Sequence, residues 1–199
     1  MKSIYIYGAS GHGLVVADIA LSCGYENIIF VDDGDNDFFT FNEIKESNSI
    51  PIAFGIGLNR VREMLFNRVS SYNFNIVSLI HPTATIAPKS TIGIGTIVMP
   101  KVVVNTHAVV GKGAILNSAS VIEHENTIGD FSHISPSVAL AGNVKVGKNT
   151  HIGIGSSVIQ GITIGKSCII GAGSVVVKDI FDNSLAYGNP CKVIRKIDE

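Results

Sequence analysis

The sequence contains no tryptophan, few charged residues and only three cysteines. Charged residues make up 16% of the chain, and 15 Lys and Arg against 16 Asp and Glu give a formal net charge of −1. This balance provides no basic surface for nucleic acid or for an anionic membrane. Cys23, Cys168 and Cys191 are odd in number and lack CxxC spacing, so neither a disulfide framework nor a zinc site is indicated.

Long hydrophobic runs are absent as well. No uncharged run approaches about 18 apolar residues, the length that spans a bilayer. The first residues, MKSIYIYGASGHG, lead directly into an apolar strand and a glycine turn, without the hydrophobic region of a signal peptide. We therefore expect a soluble cytoplasmic protein that neither inserts into membranes nor binds nucleic acid.

What the chain has instead is a six-residue repeat. Every sixth residue from Ile80 to Val176 is Ile, Val or Leu, at seventeen consecutive positions without an insertion. The residue four positions after each is mostly small or β-branched, and the positions between are rich in turn residues. Such a unit, a short strand with alternating side chains followed by a turn, forms one side of a parallel β-helix. The repeat predicts that three sides close each coil over roughly residues 79–179.

The third side of each coil has a signature of its own, a glycine after the aliphatic residue. This glycine recurs in five successive coils, at Gly93, Gly111, Gly129, Gly147 and Gly165. The pattern resembles the hexapeptide-repeat family, whose left-handed β-helix is an exception to the usual right-handed crossover. The resemblance implies an all-β, left-handed parallel β-helix domain at residues 79–199, ending in a C-terminal tail, in a family made up mostly of acyltransferases.

Residues 1–78 follow a different pattern, which predicts a small Rossmann-like α/β domain. Apolar runs of strand length alternate with segments of helical periodicity, as in a β-α-β unit with a parallel sheet. The predicted strands are Ile4–Tyr7, Asn27–Val31 and Pro51–Gly55, and the predicted helices cover Leu14–Leu21 and Asn59–Asn67.

The turn between the first strand and the first helix reads GASGHG, residues 8–13. A glycine turn there leaves backbone N–H groups free at the positive end of a helix, which favours phosphate. Its spacing differs from the dinucleotide fingerprint, and the glycines could serve only a tight turn. Asp32 and Asp33 favour a ligand, because a carboxylate at the end of a parallel strand can hold a ribose or base edge. With about three strands, the domain suits a nucleotide-sugar better than a whole dinucleotide.

The most polar run in the second half of the chain is EHEN, residues 123–126. Stacking the coils places His124 at a turn, beside Gly142 of the next coil, where little side-chain bulk leaves room for a ligand. A neighbouring carboxylate can fix the imidazole tautomer and raise its basicity. By spacing alone, Glu123 and Glu125 are equally good partners, and His124 is a candidate general base.

Two other interpretations of this run remain open. It could be a solvated polar turn, which repeats of this kind contain often. It could also belong to a metal site, since His133 and His151 stack eighteen residues apart. His133 lies half a coil from His124, however, and no third histidine completes a stacked set, so we expect no metal.

Taken in order, GASGHG, a strand ending in DD, and a hexapeptide region with NSASVIEHE and AGNVKVGKN resemble the bacterial nucleotide-amino-sugar acetyltransferases. That family includes enzymes that convert UDP-4-amino-4,6-dideoxy-N-acetylglucosamine to UDP-N,N′-diacetylbacillosamine, and relatives acting on perosamine and sialic acid. The resemblance implies direct, metal-free N-acetyl transfer from acetyl-CoA to the 4-amino group of a nucleotide-linked sugar. The alternatives are N-acetylation of GDP-perosamine, O-acetylation of the sialic acid type, and a non-enzymatic structural or binding role.

The same resemblance implies roles for individual residues. His124 would be the general base and Glu125 would raise its basicity, while Asn117 would line the reaction centre. The implied nucleotide-sugar contacts are Ser10, Gly11, His12, Asp32, Asp33 and Gly57. The implied acetyl-CoA contacts are His133, Gly142, Ile154 and Ala172. Residues 56–59 read IGLN where the family commonly has IGNN, so Leu58 replaces a polar residue.

Two further features concern assembly and the cofactor. Apolar residues at outward positions of the early coils usually mark an interface, which predicts a homotrimer with active sites in the clefts between its β-helices. These residues are Ile97, Val103, Val109, Ile115 and Val121. In the late coils, low turns predict a shallow groove for the pantetheine arm, and a basic tail supplies charge for the CoA phosphates. The groove glycines are Gly153, Gly155, Gly171 and Gly173, and the cations are Lys192, Arg195 and Lys196.

Overall fold

The computed structural model describes residues 2–197. Its N-terminal part is a three-stranded parallel sheet with strand order β2-β1-β3. The strands are β1 (Ser3–Tyr7), β2 (Asn27–Val31) and β3 (Ile52–Phe54), and the helices are α1 (Gly11–Ser22), α2 (Phe41–Ile44) and α3 (Asn59–Ser70). The predicted strands and helices of this domain are confirmed, but α2, which begins at a Thr40–Glu43 capping box, was not expected.

The glycine turn after β1 brings α1 close to the sheet. The backbone of Gly8 has φ +110°, a conformation that residues other than glycine rarely adopt. A Cβ on Gly13 would overlap the carbonyl oxygen of Gly8, so the helix can start this close to the strand only with glycine there. The turn therefore places the N-terminus of α1 directly at the carboxyl edge of the sheet.

The rest of the chain is a left-handed β-helix of seventeen two-residue strands, closed by a hairpin. The first face consists of β4 (Leu79–Ile80), β7 (Ile97–Val98), β10 (Ile115–Leu116), β13 (His133–Ile134), β16 (His151–Ile152) and β19 (Ile169–Ile170). The second face consists of β5 (Thr85–Ile86), β8 (Val103–Val104), β11 (Val121–Ile122), β14 (Ala139–Leu140), β17 (Ser157–Val158) and β20 (Val175–Val176). The third face consists of β6 (Thr91–Ile92), β9 (Val109–Val110), β12 (Thr127–Ile128), β15 (Lys145–Val146) and β18 (Thr163–Ile164).

The six-residue repeat fills the interior of this β-helix. Each repeated aliphatic residue is the second residue of a strand, and from Val98 to Val176 all are at most 3% exposed. Successive coils pair in parallel register eighteen residues apart, as Ile115 does with Ile97 and His133. In the first coil Ile80 is 37% exposed, because no earlier coil covers it. The predicted fold class is confirmed.

The N-terminal domain packs against the first face. Ile4 and Val16 belong to the same buried cluster as Ile97 and Ile115, both of which are fully buried within the single chain. The prediction that Ile97 and Ile115 are exposed for subunit contact was therefore wrong. They do point out of the β-helix, but the other domain of the same chain covers them.

The remaining outward apolar residues are still accessible. Val109 is 48% exposed, and Val103 and Val121 are half-buried.

The C-terminal tail forms a hairpin of β21 (Ser184–Gly188) and β22 (Cys191–Lys196) that extends the first face. Nζ of Lys196 donates a hydrogen bond to the carbonyl oxygen of Asp182 at 2.8 Å. Among residues 2–197, no helix is long and apolar enough to cross a membrane.

Candidate active site

His124 lies at the edge between the second and third faces, with its side chain 55% exposed. Its Nδ1 is 3.0 Å from Oε2 of Glu125, whose backbone has φ +62°. The imidazole lies over the turn of the next coil, where a Cβ on Gly142 would be 2.5 Å from Nε2. Only glycine at position 142 lets the ring occupy this place. We call His124, Glu125 and Gly142 the base corner.

Glu123 is engaged elsewhere. Its Oε2 accepts a hydrogen bond from Nδ2 of Asn105 at 2.9 Å and one from the backbone N–H of His124 at 3.3 Å. The Glu123 carboxylate thus bonds to the preceding coil, and the Glu125 carboxylate contacts the imidazole of His124. The sequence spacing left the two glutamates equivalent, and the geometry distinguishes them.

A second group of side chains lies where the N-terminal domain meets the first face. The ring of His133 is 4.8 Å from that of His151 and 6.2 Å from that of His12. Nδ2 of Asn117 is 3.1 Å from Nε2 of His133, and Oγ of Ser135 is 3.0 Å from Nε2 of His151. We call His12, His133 and His151, with Asn117, the histidine cluster.

The histidine cluster is uncharged at neutral pH. Burial lowers the pKa of His12 to about 4, assisted by the positive charge of Arg62. Burial also lowers the pKa of His133 to about 3, assisted by His151, Arg62 and His12 and opposed by a hydrogen bond with the Gly57 backbone. The pKa of His151 is lowered for the same two reasons, burial and Arg62. Neutral imidazoles can orient a substrate through hydrogen bonds.

Two clefts are relevant to the site, one at the domain junction and one within the N-terminal domain. A cleft of about 250 Å³ lies beside the histidine cluster and is lined by Gly57, Leu58, Asn59, Arg60, Asn149, His151 and Ile169. A second, of about 310 Å³, lies at the carboxyl ends of β1 and β2 and is lined by Tyr7, Gly8, Asp32, Asp33, Gly34, Ile56, Val61, Met64, Leu65 and Arg68. The second cleft is where a nucleotide would meet a parallel sheet.

Asp32 and Asp33 form one wall of that second cleft. Backbone N–H groups of Ala9 and Gly34, each donating at 2.9 Å, hold the pKa of Asp32 below its usual range. Burial works to raise the pKa of Asp33, yet the pKa is lowered because Tyr7, the Phe41 N–H and Arg68 donate to the carboxylate. Both carboxylates thus also fix the loop that follows β2.

This arrangement makes stability depend on pH. Because the pKa of Asp33 is lower in the folded chain, its carboxylate stabilises the fold above its unfolded pKa of about 3.9, and this stabilisation is lost as the pH falls through the folded value. The side chain is 38% exposed, so we expect Asp33→Asn to reduce the free energy of unfolding by only about 1 kcal/mol at pH 7.

Urea denaturation at several pH values measures this effect. The difference between wild type and Asp33→Asn should vanish below the folded pKa, and Asp35→Asn, in the same loop, should match wild type throughout. A difference that persists undiminished in acid would show that the charge of Asp33 is not what stabilises the loop.

The residues that the resemblance implied for the site form several separate groups in the structure. Gly57 lies next to His12, since a Cβ on Gly57 would be 4.0 Å from Cβ of His12. Ser10 and Gly11 are exposed at the start of α1. Ile154 and Ala172 are exposed at the edge between the first and second faces. The base corner lies at a different edge of the β-helix from Asn117, so one chain does not unite the base with the histidine cluster.

The sequence interpretation missed the residues that join the two domains. Arg62 is fully buried, Glu63 forms an ion pair with Lys148, and Nδ2 of Asn149 donates to Glu63 at 2.6 Å. Charged residues in a helical pattern are usually solvated, so nothing in the sequence alone marked them. In the described residues 2–197, no three His, Cys, Asp or Glu side chains are grouped as a metal ion would need.

Comparison with known proteins identifies relatives of both parts of the chain. A profile of the PglD N-terminal domain matches residues 3–69, and one of the bacterial transferase hexapeptide (six repeats) matches residues 143–178. UDP-N-acetylbacillosamine N-acetyltransferase of Bacillus subtilis (strain 168) is 34% identical over 114 residues. That match covers 50% of this chain and spans about half, 52%, of the curated relative.

Solved structures match over nearly the whole chain. The acetyltransferase domain of PglB from Neisseria gonorrhoeae FA1090 is 36% identical, with a TM-score of 0.90, covering 98% of this chain and 100% of that domain. It has also been solved in complex with acetyl coenzyme A. A histidine-to-alanine mutant of GDP-perosamine N-acetyltransferase from Caulobacter crescentus, in complex with CoA and GDP-perosamine, is 33% identical with a TM-score of 0.93, covering 98% and 97% of the two chains. The resemblance seen in the sequence is confirmed.

Proposed function

The chain belongs to the hexapeptide-repeat acetyltransferase family that includes the PglB acetyltransferase domain and GDP-perosamine N-acetyltransferase, and from this premise we propose that it N-acetylates a nucleotide-linked amino sugar. The acetyl donor is acetyl-CoA, and the acceptor is the 4-amino group of an amino-dideoxy sugar. The leading substrate is UDP-4-amino-4,6-dideoxy-N-acetylglucosamine, which gives UDP-N,N′-diacetylbacillosamine. The observation that carries the proposal is the base corner, an exposed imidazole oriented by a carboxylate and lying over a glycine of the next coil.

The base corner supplies what direct acetyl transfer needs. The amine nitrogen attacks the thioester carbonyl, and Nε2 of His124 takes the amine proton as the C–N bond forms. The C–S bond then breaks, and the CoA thiolate leaves and takes up a proton. Glu125, at Nδ1, stabilises the imidazolium; a positioned base of this kind contributes about 10²–10⁴-fold. The backbone N–H of Gly142, which donates to no acceptor among residues 2–197, is available to the oxyanion.

The two glutamates of the base corner should differ in their effect. Glu125→Ala removes the partner of the imidazole, so we expect kcat to fall by about ten-fold while His124 itself still accepts the proton. Glu123→Ala, the matched control, should keep kcat within about two-fold of wild type, because that carboxylate braces Asn105 instead. Steady-state kinetics with both substrates at saturation measures the difference, and a larger loss for Glu123→Ala would mean that the assigned orienter is wrong.

The two parts of the chain divide the substrates between them in this proposal. Residues 1–78 hold the nucleotide-sugar through Ser10, Gly11 and His12 at the start of α1 and through the cleft beside Asp32 and Asp33. Residues 79–199 hold acetyl-CoA along Ile154 and Ala172, with His133 on the acetyl-CoA side. The exposed cations Lys192, Arg195 and Lys196 supply positive charge for the CoA phosphates, and Lys196 gives up its hydrogen bond to the Asp182 carbonyl to do so.

The active site is completed between subunits of a homotrimer in the same proposal. Its support is the separation of the base corner from the histidine cluster, which lie at different edges of one β-helix. Val103, Val109 and Val121 remain accessible on the second and third faces and supply apolar surface for the contact.

Co-expression of two inactive variants tests this arrangement. His124→Ala lacks the base and Asn117→Ala alters the histidine cluster, so in mixed trimers about a quarter of the sites would combine an intact base corner with an intact cluster. We expect the mixture to regain activity that neither variant has alone. A mixture no more active than the sum of the two variants, or a stable monomer by light scattering at micromolar concentration, would rule out sites shared between subunits.

GDP-perosamine is the second candidate substrate, because the GDP-perosamine N-acetyltransferase complex superposes on almost the entire chain. Mass and NMR analysis of the product from each nucleotide amino sugar decides between them. A matched nucleotide sugar with a 4-hydroxyl in place of the 4-amino group tests whether the amine is the acceptor. An N-acetyltransferase should leave this 4-hydroxy sugar unmodified. Acetylation of the 4-hydroxy sugar at a comparable rate would contradict an N-acetyltransferase.

A further inference from the structure

Arg62 is a buried cation without a carboxylate partner among residues 2–197. Its side chain is fully buried in α3, and burial lowers its pKa to about 9, so the guanidinium keeps its charge at neutral pH. All of its hydrogen bonds go to uncharged oxygens. Nε donates to the Gly113 carbonyl at 2.7 Å, Nη1 to the carbonyls of Ile56 and Gly57 at 2.9 and 3.1 Å, and Nη2 to Oδ1 of Asn59 at 2.9 Å and to the carbonyls of Phe131 and Ser132 at 2.8 and 3.5 Å.

These acceptors belong to three separate segments. Ile56 and Gly57 form the loop before α3, and Gly57 lies beside His12. Gly113 and Phe131 lie at the same edge of two successive coils, and Ser132 leads directly into His133. A single planar group with five N–H donors therefore fixes the distance between the Gly57 loop and the strand that carries His133.

We propose that Arg62 is a positioning residue for the nucleotide-sugar, whose guanidinium holds the Gly57 loop against β13 so that His12, on the nucleotide-sugar side, lies beside His133, on the acetyl-CoA side. This proposal rests on the proposed function, which assigns His12 to the nucleotide-sugar.

The charge of Arg62 has a second consequence at the same place. The groups that face His133 are His151 on β16, His12 on α1, Arg62 on α3, the Gly57 backbone and Asn117. None of these groups is acidic, and the neighbouring Glu63 is paired with Lys148 and Asn149. Burial is the main reason that His12 and His133 are neutral, and the positive charge of Arg62 beside the cluster lowers their pKa values further.

Two substitutions separate the shape of the guanidinium from its charge. Arg62→Lys keeps a positive charge but cannot bridge three segments, whereas Arg62→Met removes both the charge and the planar set of N–H donors. Glu63→Gln is the matched control, since it weakens another contact between the same helix and the β-helix without touching the Gly57 loop. For each protein, the KM for nucleotide-sugar and for acetyl-CoA is measured, and the His133 ring is titrated by NMR without substrate.

We expect both Arg62 variants to raise the KM for nucleotide-sugar by about ten-fold or more, with the KM for acetyl-CoA within about two-fold of wild type. His133 should titrate at a higher pH in Arg62→Met than in wild type, and should stay low in Arg62→Lys. Glu63→Gln should leave both KM values and the titration unchanged. If Arg62→Met does not fold, Arg62→Lys carries the kinetic test.

Three results would overturn the proposal: wild-type KM for nucleotide-sugar in the Arg62 variants, an equal rise for both substrates, or the same rise in Glu63→Gln. Failure of the proposed function looks different, because the wild-type protein would then turn over no nucleotide amino sugar. In that event the titration of His133 still decides whether Arg62 controls the cluster.

Discussion

Replacing His124 by alanine should lower kcat by about two to four orders of magnitude and leave the midpoint of thermal unfolding nearly unchanged. The large effect is expected because Nε2 of His124 is the atom that takes the proton of the attacking amine. Glu125 contacts the opposite ring nitrogen, Nδ1, and does not replace it. The small structural effect follows from the 55% exposure of the side chain, which pairs with a single side chain, Glu125, within residues 2–197. Thiol release at saturating substrates and thermal unfolding measure the two quantities.

His107→Ala is the matched control for this prediction. His107 is an exposed histidine in the same turn of the preceding coil, at the position that corresponds to Glu125 and with a similar positive φ of 59°, and its ring has no carboxylate partner among residues 2–197. Its replacement should leave kcat at the wild-type value. Wild-type turnover in His124→Ala would instead reduce the base corner to a solvated polar turn.

Gly142→Ala should lower kcat by about 100-fold, because misplacing a catalytic group by about 1 Å has an effect of that size. The added Cβ would overlap the His124 imidazole, and the ring, as the end of a side chain, must move away. Gly142 is not among the glycines with positive φ, so alanine introduces no backbone strain and the chain should fold normally. Steady-state kinetics and thermal unfolding of the variant test both expectations.

A double-mutant cycle gives this prediction its control. In the His124→Ala background the ring is gone, and adding Gly142→Ala should have no further effect on kcat. Additive losses in the double variant would mean that Gly142 acts on the acetyl donor or on the oxyanion rather than through the imidazole.

The β-helix could be predicted because its sequence repeat and its structural repeat are the same. Each coil needs one small inward residue and one aliphatic inward residue per side, so the pattern from Ile80 to Val176 specifies strands, register and core together. The burial of Ile97 and Ile115 could not be predicted this way. Their covering comes from another domain, and the repeat contains no information about which outward face that domain occupies.

The candidate site shows the same division between local and long-range information. The pairing of His124 with Glu125 follows from adjacent residues at one turn, although the choice against Glu123 depended on Asn105, eighteen residues earlier. Arg62 gave no sequence signal, because its acceptors are mostly backbone carbonyls from segments far apart in the chain. Long-range contacts with backbone atoms leave no pattern in the side-chain sequence.

The central claim is acetyl transfer to a nucleotide-linked amino sugar, and thiol release from acetyl-CoA over a substrate panel tests it most directly. The panel contains UDP- and GDP-linked 4-amino-4,6-dideoxy sugars and free sialic acid. The account predicts CoA release with at least one nucleotide amino sugar, in equal amount to N-acetylated product, and none with sialic acid. No turnover with any amino sugar, or turnover with sialic acid alone, would contradict it.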